Sequence, residues 1–199
     1  MTLSKEEKKQ LKSERIKRVF ATTAKEIIEG QGVFEVSVRK VAEQSGYSLG
    51  TIYNHFENLD ELLWLTRTLM IEDINHYFLD SRLVIQNDND LKLLFRKFMD
   101  YFINKPNVYY FFYCHPLNKE HKKDESDILK NPQVKMQFAQ TFSYLIEQKT
   151  YTEDDIMKIS WTIIYAIYGL LTLYISGNDT LTKEQVYEHL DNTIDLLLN

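Results

Sequence analysis

From Arg15 to Glu29 the apolar residues Ile16, Val19, Phe20, Ala24, Ile27 and Ile28 recur at three- and four-residue intervals, the spacing of one helix face. Gly30 and Gly32 end that run. Two short helices are predicted between Val38 and Phe56. Asn58-Leu59-Asp60-Glu61 then has the pattern of a capping box, with Asn58 as N-cap and Glu61 three residues on. It opens a long amphipathic helix expected to reach Leu79. Asn87-Asp88-Asn89-Asp90 reads as a polar break before Leu91, Leu94, Phe95, Phe98 and Phe102, again at helical spacing. Pro106 and Pro116 bracket a short aromatic segment, and His121 to Asp127 is charged and loop-like. Asn131-Pro132 has the chemistry of a helix start, for a helix running to Gln148. Thr152-Glu153-Asp154-Asp155 and Thr182-Lys183-Glu184-Gln185 are further capping boxes. No segment alternates strictly enough for a strand, and no repeat is present. The pattern predicts an all-α chain.

Composition narrows the class. Of 199 residues 44% are hydrophobic and 27% charged, the balance of a chain that folds. Six Gly and three Pro leave little material for hairpins or Gly-rich phosphate loops. The single cysteine, Cys114, has no mate for an intrachain disulfide and excludes a multi-cysteine zinc cluster, which points to a reducing, cytoplasmic setting. The N-terminal stretch to Arg18 is charged and lacks an apolar core, so no secretory signal is expected there. The uncharged run from Ile159 to Asn178 has a bilayer-spanning length. Ser160, Thr162, Thr172, Ser176 and Asn178 dilute it, however, and no Lys/Arg cluster flanks it. A buried helix at a subunit interface gives the same pattern, and with that reading no membrane partner is expected.

Charge is divided unevenly. Residues 1–56 hold 10 Lys+Arg against 7 Asp+Glu, and the remainder holds 14 against 22. A basic N-terminal quarter on an acidic body suggests a head that binds a polyanion. A solvated tail with a few extra lysines accounts for the charge alone equally well.

The informative segment is Ser37 to Phe56, SVRKVAEQSGYSLGTIYNHF. Val38, Val41 and Ala42 line one face of two helical turns. Gly46 supplies the positive φ of a tight interhelical turn. Ser48 stands as N-cap of a second short helix whose inward face is Ile52 and Phe56. A small residue at the crossing, a glycine in the turn and an aliphatic residue packing the second helix on the first meet the requirements of a helix-turn-helix. Such a unit lays its second helix in the DNA major groove. The outward residues here are Ser48, Gly50, Thr51, Asn54 and His55, small or hydrogen-bonding, where a merely solvated face would favour Lys and Glu. An ordinary αα-hairpin leaves that choice unexplained.

From Arg15 to Leu63 the sequence resembles the tetracycline-repressor (TetR/AcrR) family of bacterial transcription factors. The resemblance is carried by the first helix with its closing Gly, by the run of Ser48, Gly50, Thr51, Tyr53, His55 and Phe56, and by Asp60-Glu61-Leu62-Leu63 after a loop. It implies a helix-turn-helix DNA-binding domain over residues 1–57 and a ligand-binding and dimerisation domain over residues 58–199. It implies that Ser37 is a phosphate-contacting cap and that Arg39 reaches a phosphate or a guanine edge. Leu49, Gly50 and Thr51 would open the recognition helix, with Gly50 permitting close approach to DNA. Tyr53 and His55 resemble phosphate-binding aromatics of the family, and Asn54 suits bidentate pairing with adenine. For Leu49 a thymine methyl and a neighbouring helix are equally good partners. Leu59 is a departure, since the family often has a phosphate-gripping Lys there. Backbone N–H groups of the helix opening at Asn58 and the arm of Lys5, Lys8, Lys9, Lys12, Arg15, Lys17 and Arg18 are the candidate substitutes. Glu6, Glu7 and Glu14 dilute that arm, which reads equally as a frayed solvated extension.

In the C-terminal part, Ile156, Ile159, Ile163, Ala166, Leu170 and Leu173 form an a/d stripe, and the last helix offers Val186, Leu190, Ile194 and Leu197. From these the expected dimer interface is Ile156, Ile159, Ile163, Leu170, Leu173, Leu190, Ile194 and Leu197, in a four-helix bundle as in the family. One short recognition helix reads few bases, whereas a two-fold pair spaced about 34–36 Å reads a palindrome. Phe98, Phe102, Tyr109, Tyr110, Tyr113, Phe138, Phe142, Trp161 and Tyr165 are the candidate lining of a pocket for a small hydrophobic or aromatic effector. For any single ring, core packing is the simpler reading. Cys114 and His115 with His76 or His121 lack metal-site spacing, so no metal is expected. No G-x-S-x-G, Walker loop, H-E-x-x-H or dinucleotide fingerprint occurs, so neither a cofactor nor an enzyme is expected. The sequence therefore predicts a homodimeric repressor that binds a palindromic double-stranded DNA operator and is released by a small molecule. The alternative is an architectural or recombinase-type DNA-binding protein without an effector pocket.

Overall fold

A computed structural model of the chain describes residues 4–79, 84–118, 120, 143, 145–147, 151–178 and 180–198, and among these every regular element is helical. The elements are α1 (Lys5–Gln31), a 3-10 turn (Val33–Glu35), α2 (Val38–Ser45), α3 (Leu49–Tyr53), α4 (Leu59–Leu79), α5 (Asp88–Ile103), α6 (Pro106–Tyr113), α7 (Glu153–Ser176) and α8 (Lys183–Leu198). The predicted helix from Asn131 lies largely outside the described residues; of it, Ser143, Leu145, Ile146 and Glu147 are helical. The chain divides into two compact units, Met1–Tyr77 with Asn107–Asn131, and Phe78–Pro106 with Pro132–Asn199.

In the first unit, α1 starts well before the expected Arg15. Ser4 Oγ accepts the Glu7 backbone N–H at 3.1 Å while the Glu7 carboxylate accepts the Ser4 N–H at 2.6 Å, a capping box that nucleates the helix. The Ser4 backbone N–H, then the Ser4 hydroxyl, hold the Glu7 carboxyl below its ordinary pKa. The basic arm is thus helical rather than frayed. Farther along, α1 buries Phe20, Ala21, Ala24, Ile27 and Ile28 on one face. Helix α2 packs on α1 and α3 on α2, with Val41, Ala42 and Ile52 buried, as are Leu62, Leu63, Met70 and Ile71 of α4. Ion pairs from Lys17 to Glu61 (3.6 Å), Arg18 to Glu72 (2.7 Å) and Lys25 to Asp73 (2.5 Å) tie α1 to α4. Helix α6 is fastened to the same unit. Asn107 Nδ2 donates to Glu29 O at 3.1 Å, and the Arg67 guanidinium lies over the Phe112 ring and donates to Phe112 O.

The second unit packs α5, α7 and α8 together. The polar run at Asn87 stands at the end of the break and itself opens the next helix: Asn87 Oδ1 accepts the Asp90 N–H and α5 begins at Asp88. Thr152 and Thr182 cap α7 and α8 as their spacing predicts. The core is formed by Leu91, Met99 and Phe102 from α5, Ile156, Ile159, Ile163, Ile167 and Leu171 from α7, and Val186, Leu190, Ile194 and Leu198 from α8. Polar ties between α5 and α8 surround it. Lys92 meets Asp195 at 2.5 Å, Arg96 pairs with Asp191, and Asp100 accepts from Lys183 at 2.6 Å and from the Tyr187 hydroxyl. The Asp100 carboxylate, then Tyr187, raises the Lys183 pKa above its ordinary 10.5. Its folded-state value is raised, so this contribution is full below pH 10.5 and fades only as pH climbs through the raised value. Asp100→Asn is expected to cost about 1 kcal/mol at neutral pH, read from urea unfolding, because both donors lose a charged acceptor in a partly exposed site.

By length and composition α7 is apolar enough to cross a membrane. One of its faces is core, while Met157, Trp161, Tyr165 and Leu173 are exposed. Ser160, Thr162 and Thr172 turn their hydroxyls onto the carbonyls of Ile156, Lys158 and Tyr168 in the preceding turn, which removes much of the polarity the sequence suggests.

Candidate nucleic-acid interface

The site is built from its backbone outward. Ser37 caps α2 through a hydrogen bond from the Lys40 N–H at 3.2 Å. The helix ends at Gly46, which takes φ +74°, with the Tyr47 N–H returning to Ala42 O at 3.0 Å. A Cβ at Gly46 would meet no atom within 4 Å, so glycine is required there by the backbone alone. Gly46→Ala is accordingly expected to lower stability by about 1 kcal/mol, read from urea unfolding, with no change in the helix content of the folded state. After the turn Ser48 caps α3, its Oγ accepting the Thr51 N–H at 3.2 Å and lying 2.8 Å from the Thr51 hydroxyl. Ile52 and Phe56 enter the core beside Phe20. The opposite side of α3 is left to solvent.

That outward side carries the predicted residues. Ser48, Leu49, Gly50, Tyr53 and Asn54 are exposed, Thr51 and His55 half-buried, and Ser37 and Arg39 are exposed at the N-terminal part of α2. Leu49 is 44% and Tyr53 55% exposed, so neither is drawn into the core of its own unit. At Gly50 a Cβ would meet only Ser48 Oγ, at 3.9 Å, an ordinary contact. Nothing inside the protein therefore demands glycine at that position, and its consequence is an unobstructed outer surface. Helices α2 and α3 form a helix-turn-helix with an apolar inner side and a bare, hydrogen-bonding outer one.

The residue pattern of the bacterial regulatory proteins of the tetR family matches residues 21–63, the segment holding this unit. Residues 21–63 form a tetR-family domain. The whole chain resembles solved structures of that fold. A TetR-family transcription regulator of Marinobacter aquaeolei VT8 shares 16% identity with a TM-score of 0.62, over 94% of this chain and 97% of that one. A protein of Mesorhizobium loti MAFF303099 assigned to the same family shares 16% with a TM-score of 0.65, over 94% and 96%. A TetR regulator of Rhodococcus sp. RHA1 shares 11% with a TM-score of 0.54, over 96% and 97%. At these identities the structural likeness shows a common fold alone. Comparison with curated protein sequences gave no match.

Around the tetR-family domain two further features are placed by the structure. Leu59 opens α4, where Asn58 Oδ1 takes the Glu61 N–H (3.0 Å) and the Glu61 carboxylate takes the Glu57 N–H (2.7 Å). Of the basic arm, Lys17 and Arg18 face acids of α4, whereas Lys5, Lys8, Lys9, Lys12 and Arg15 are exposed.

The predicted effector-site aromatics are divided between the two units. Phe98 and Phe102 are in edge contact in the second unit, with centroids 5.1 Å apart. Tyr109 and Tyr113 are neighbours in the first, where Tyr110 sits beside the exposed Phe34. Trp161 and Tyr165 stack on the exposed face of α7, 5.7 Å apart, while Phe138 and Phe142 lie outside the described residues. A groove of about 620 Å³ between α1 and α4 has an apolar floor of Leu11, Phe56, Trp64, Leu65 and Leu69 and charged walls, and none of those aromatics lines it. The apolar spacing along the sequence begins at Arg15 and leaves Leu11 without a helix, so it gives no sign of this groove. Of the predicted interface residues, Ile156, Ile159, Ile163, Leu190 and Ile194 are buried within their own chain. Leu170 and Leu197 are half-buried and Leu173 is exposed.

Proposed function

We propose that the chain is a homodimeric transcriptional repressor whose two helix-turn-helix units read a palindromic operator and whose release is governed by a small hydrophobic or aromatic ligand. The observation that carries the reading is the outer side of α3: Ser48, Leu49, Gly50, Thr51, Tyr53 and Asn54 form a surface without acidic side chains on a protein that is acidic as a whole. On this reading Ser37, Arg39, Tyr53 and His55 hold phosphates and fix the register. Asn54 reads a base edge, Gly50 lets the backbone approach, and Leu49 meets a thymine methyl.

The dimer face in this proposal is the exposed stripe of α7, Met157, Trp161, Tyr165 and Leu173, since the inner stripe is already covered by α5 and α8. Large exposed aromatics of this kind are the usual anchors of protein interfaces. Helix α4 is the proposed connection for regulation: ligand bound among the aromatics of the C-terminal part shifts it, and the spacing of the two recognition helices changes with it. Selection of bound duplexes from a random-sequence pool tests the proposal. An inverted repeat with half-sites one helical turn, or a multiple of it, apart supports it. Recovery of no common sequence favours the architectural alternative instead.

A further inference from the structure

Ser13 belongs to none of the motifs that mark the helix-turn-helix, yet it reaches into it. Its Oγ lies 3.1 Å from His55 Nδ1, a contact between residues 42 positions apart in the chain. Both side chains are half-buried, and the Phe20 ring lies 6.2 Å from the imidazole, centroid to centroid. The imidazole is thus held between α1 and the end of α3 by one polar and one apolar neighbour. Among the described residues its other nitrogen, Nε2, makes no hydrogen bond.

We propose that Ser13 is a positioning residue for DNA binding, holding His55 by Nδ1 so that Nε2–H is presented to a backbone phosphate. A phosphate at Nε2 requires a proton on that nitrogen. A serine hydroxyl serves both ring states that carry one. It donates to a bare Nδ1 when the imidazole is neutral, and it accepts from Nδ1–H when the ring is an imidazolium. Without the hydroxyl, Nδ1 turns to water and the ring loses the one side-chain hydrogen bond it makes among the described residues, so its orientation is no longer set before DNA arrives. The helical arm before Arg15 acquires a role by this route: the Ser4–Glu7 capping box extends α1 far enough to carry Ser13 in a fixed register.

The inference rests on the DNA-binding reading above, and its test separates the two. The probe is the duplex that the wild-type protein selects from a random pool, titrated at fixed salt with Ser13→Ala, Ser13→Thr, His55→Ala, Tyr53→Ala and the Ser13→Ala/His55→Ala double variant. Ser13→Ala is expected to bind about fivefold more weakly, the scale of one hydrogen bond. Ser13→Thr should restore binding, and in the His55→Ala background Ser13→Ala should cost nothing further. In the DNA-free protein, the His55 side chain should hold one χ1 rotamer, read from its Hα–Hβ couplings, and become rotamer-averaged in Ser13→Ala. Wild-type affinity of Ser13→Ala, an equal loss in the His55→Ala background, or His55 couplings unchanged in Ser13→Ala overturns the role of Ser13. If Tyr53→Ala and His55→Ala also bind as wild type, or no duplex is selected, the DNA-binding reading itself fails, and the His55 couplings still decide whether Ser13 sets the ring.

Discussion

Phe20→Ala is expected to lower the unfolding free energy by about 3–5 kcal/mol, the range for deleting a fully buried aromatic ring. Phe20 has no exposed surface and sits where α1 meets the helix-turn-helix. Its ring is in edge contact with Tyr47 at 5.1 Å, lies 6.3 Å from Phe56 and flanks His55 at 6.2 Å, all centroid to centroid. The cavity left behind is bordered by Tyr47, His55 and Phe56 of the helix-turn-helix, so the loss should also abolish DNA binding at temperatures where the rest of the chain stays helical. Urea unfolding followed by circular dichroism gives the stability change. A loss below about 1 kcal/mol would mean that the unit is held by something other than this contact.

The second large effect is expected at the outer face of α7. Trp161→Glu with Tyr165→Glu places two carboxylates where the proposed dimer buries two stacked rings. Both positions are exposed within the chain, 44% and 64%, so the fold of the single chain should be unaffected. Sedimentation should report a monomer. Affinity for a two-half-site operator should fall by at least about 100-fold, because the second helix-turn-helix no longer binds at the raised effective concentration that linkage gives it. A double variant that remains dimeric with unchanged affinity would move the dimer interface elsewhere.

How much of this was legible in the sequence differs by region. The helix-turn-helix was readable almost residue by residue, because each requirement falls on a distinctive residue type: Ala42 at the crossing, Gly46 in the left-handed turn, Ser48 as cap and Ile52 facing inward. The first turns of α1 were not. Residues from Lys5 to Lys12 are exposed with Leu11 among them, so no apolar stripe registers, and only the Ser4–Glu7 spacing marked the start. In α7 the stripe read at heptad spacing drifts off the real one after Ile163. The buried residues continue as Ile167 and Leu171, since this helix packs on two others within its own chain and keeps its natural period. In the same way Leu198, not Leu197, closes the core at the end of α8. Contacts such as Ser13 with His55 and Asn107 with Glu29 join residues 42 and 78 positions apart, and no local pattern announces them.

The central claim is that the outer side of α3 reads DNA sequence. The most direct test is an anisotropy titration of the purified protein against its selected duplex and a scrambled duplex of equal composition, repeated over a series of salt concentrations. The account predicts at least about a thousandfold preference for the selected sequence, with affinity falling linearly on a log–log plot as salt rises. Equal affinity for the two duplexes at every salt concentration would contradict it.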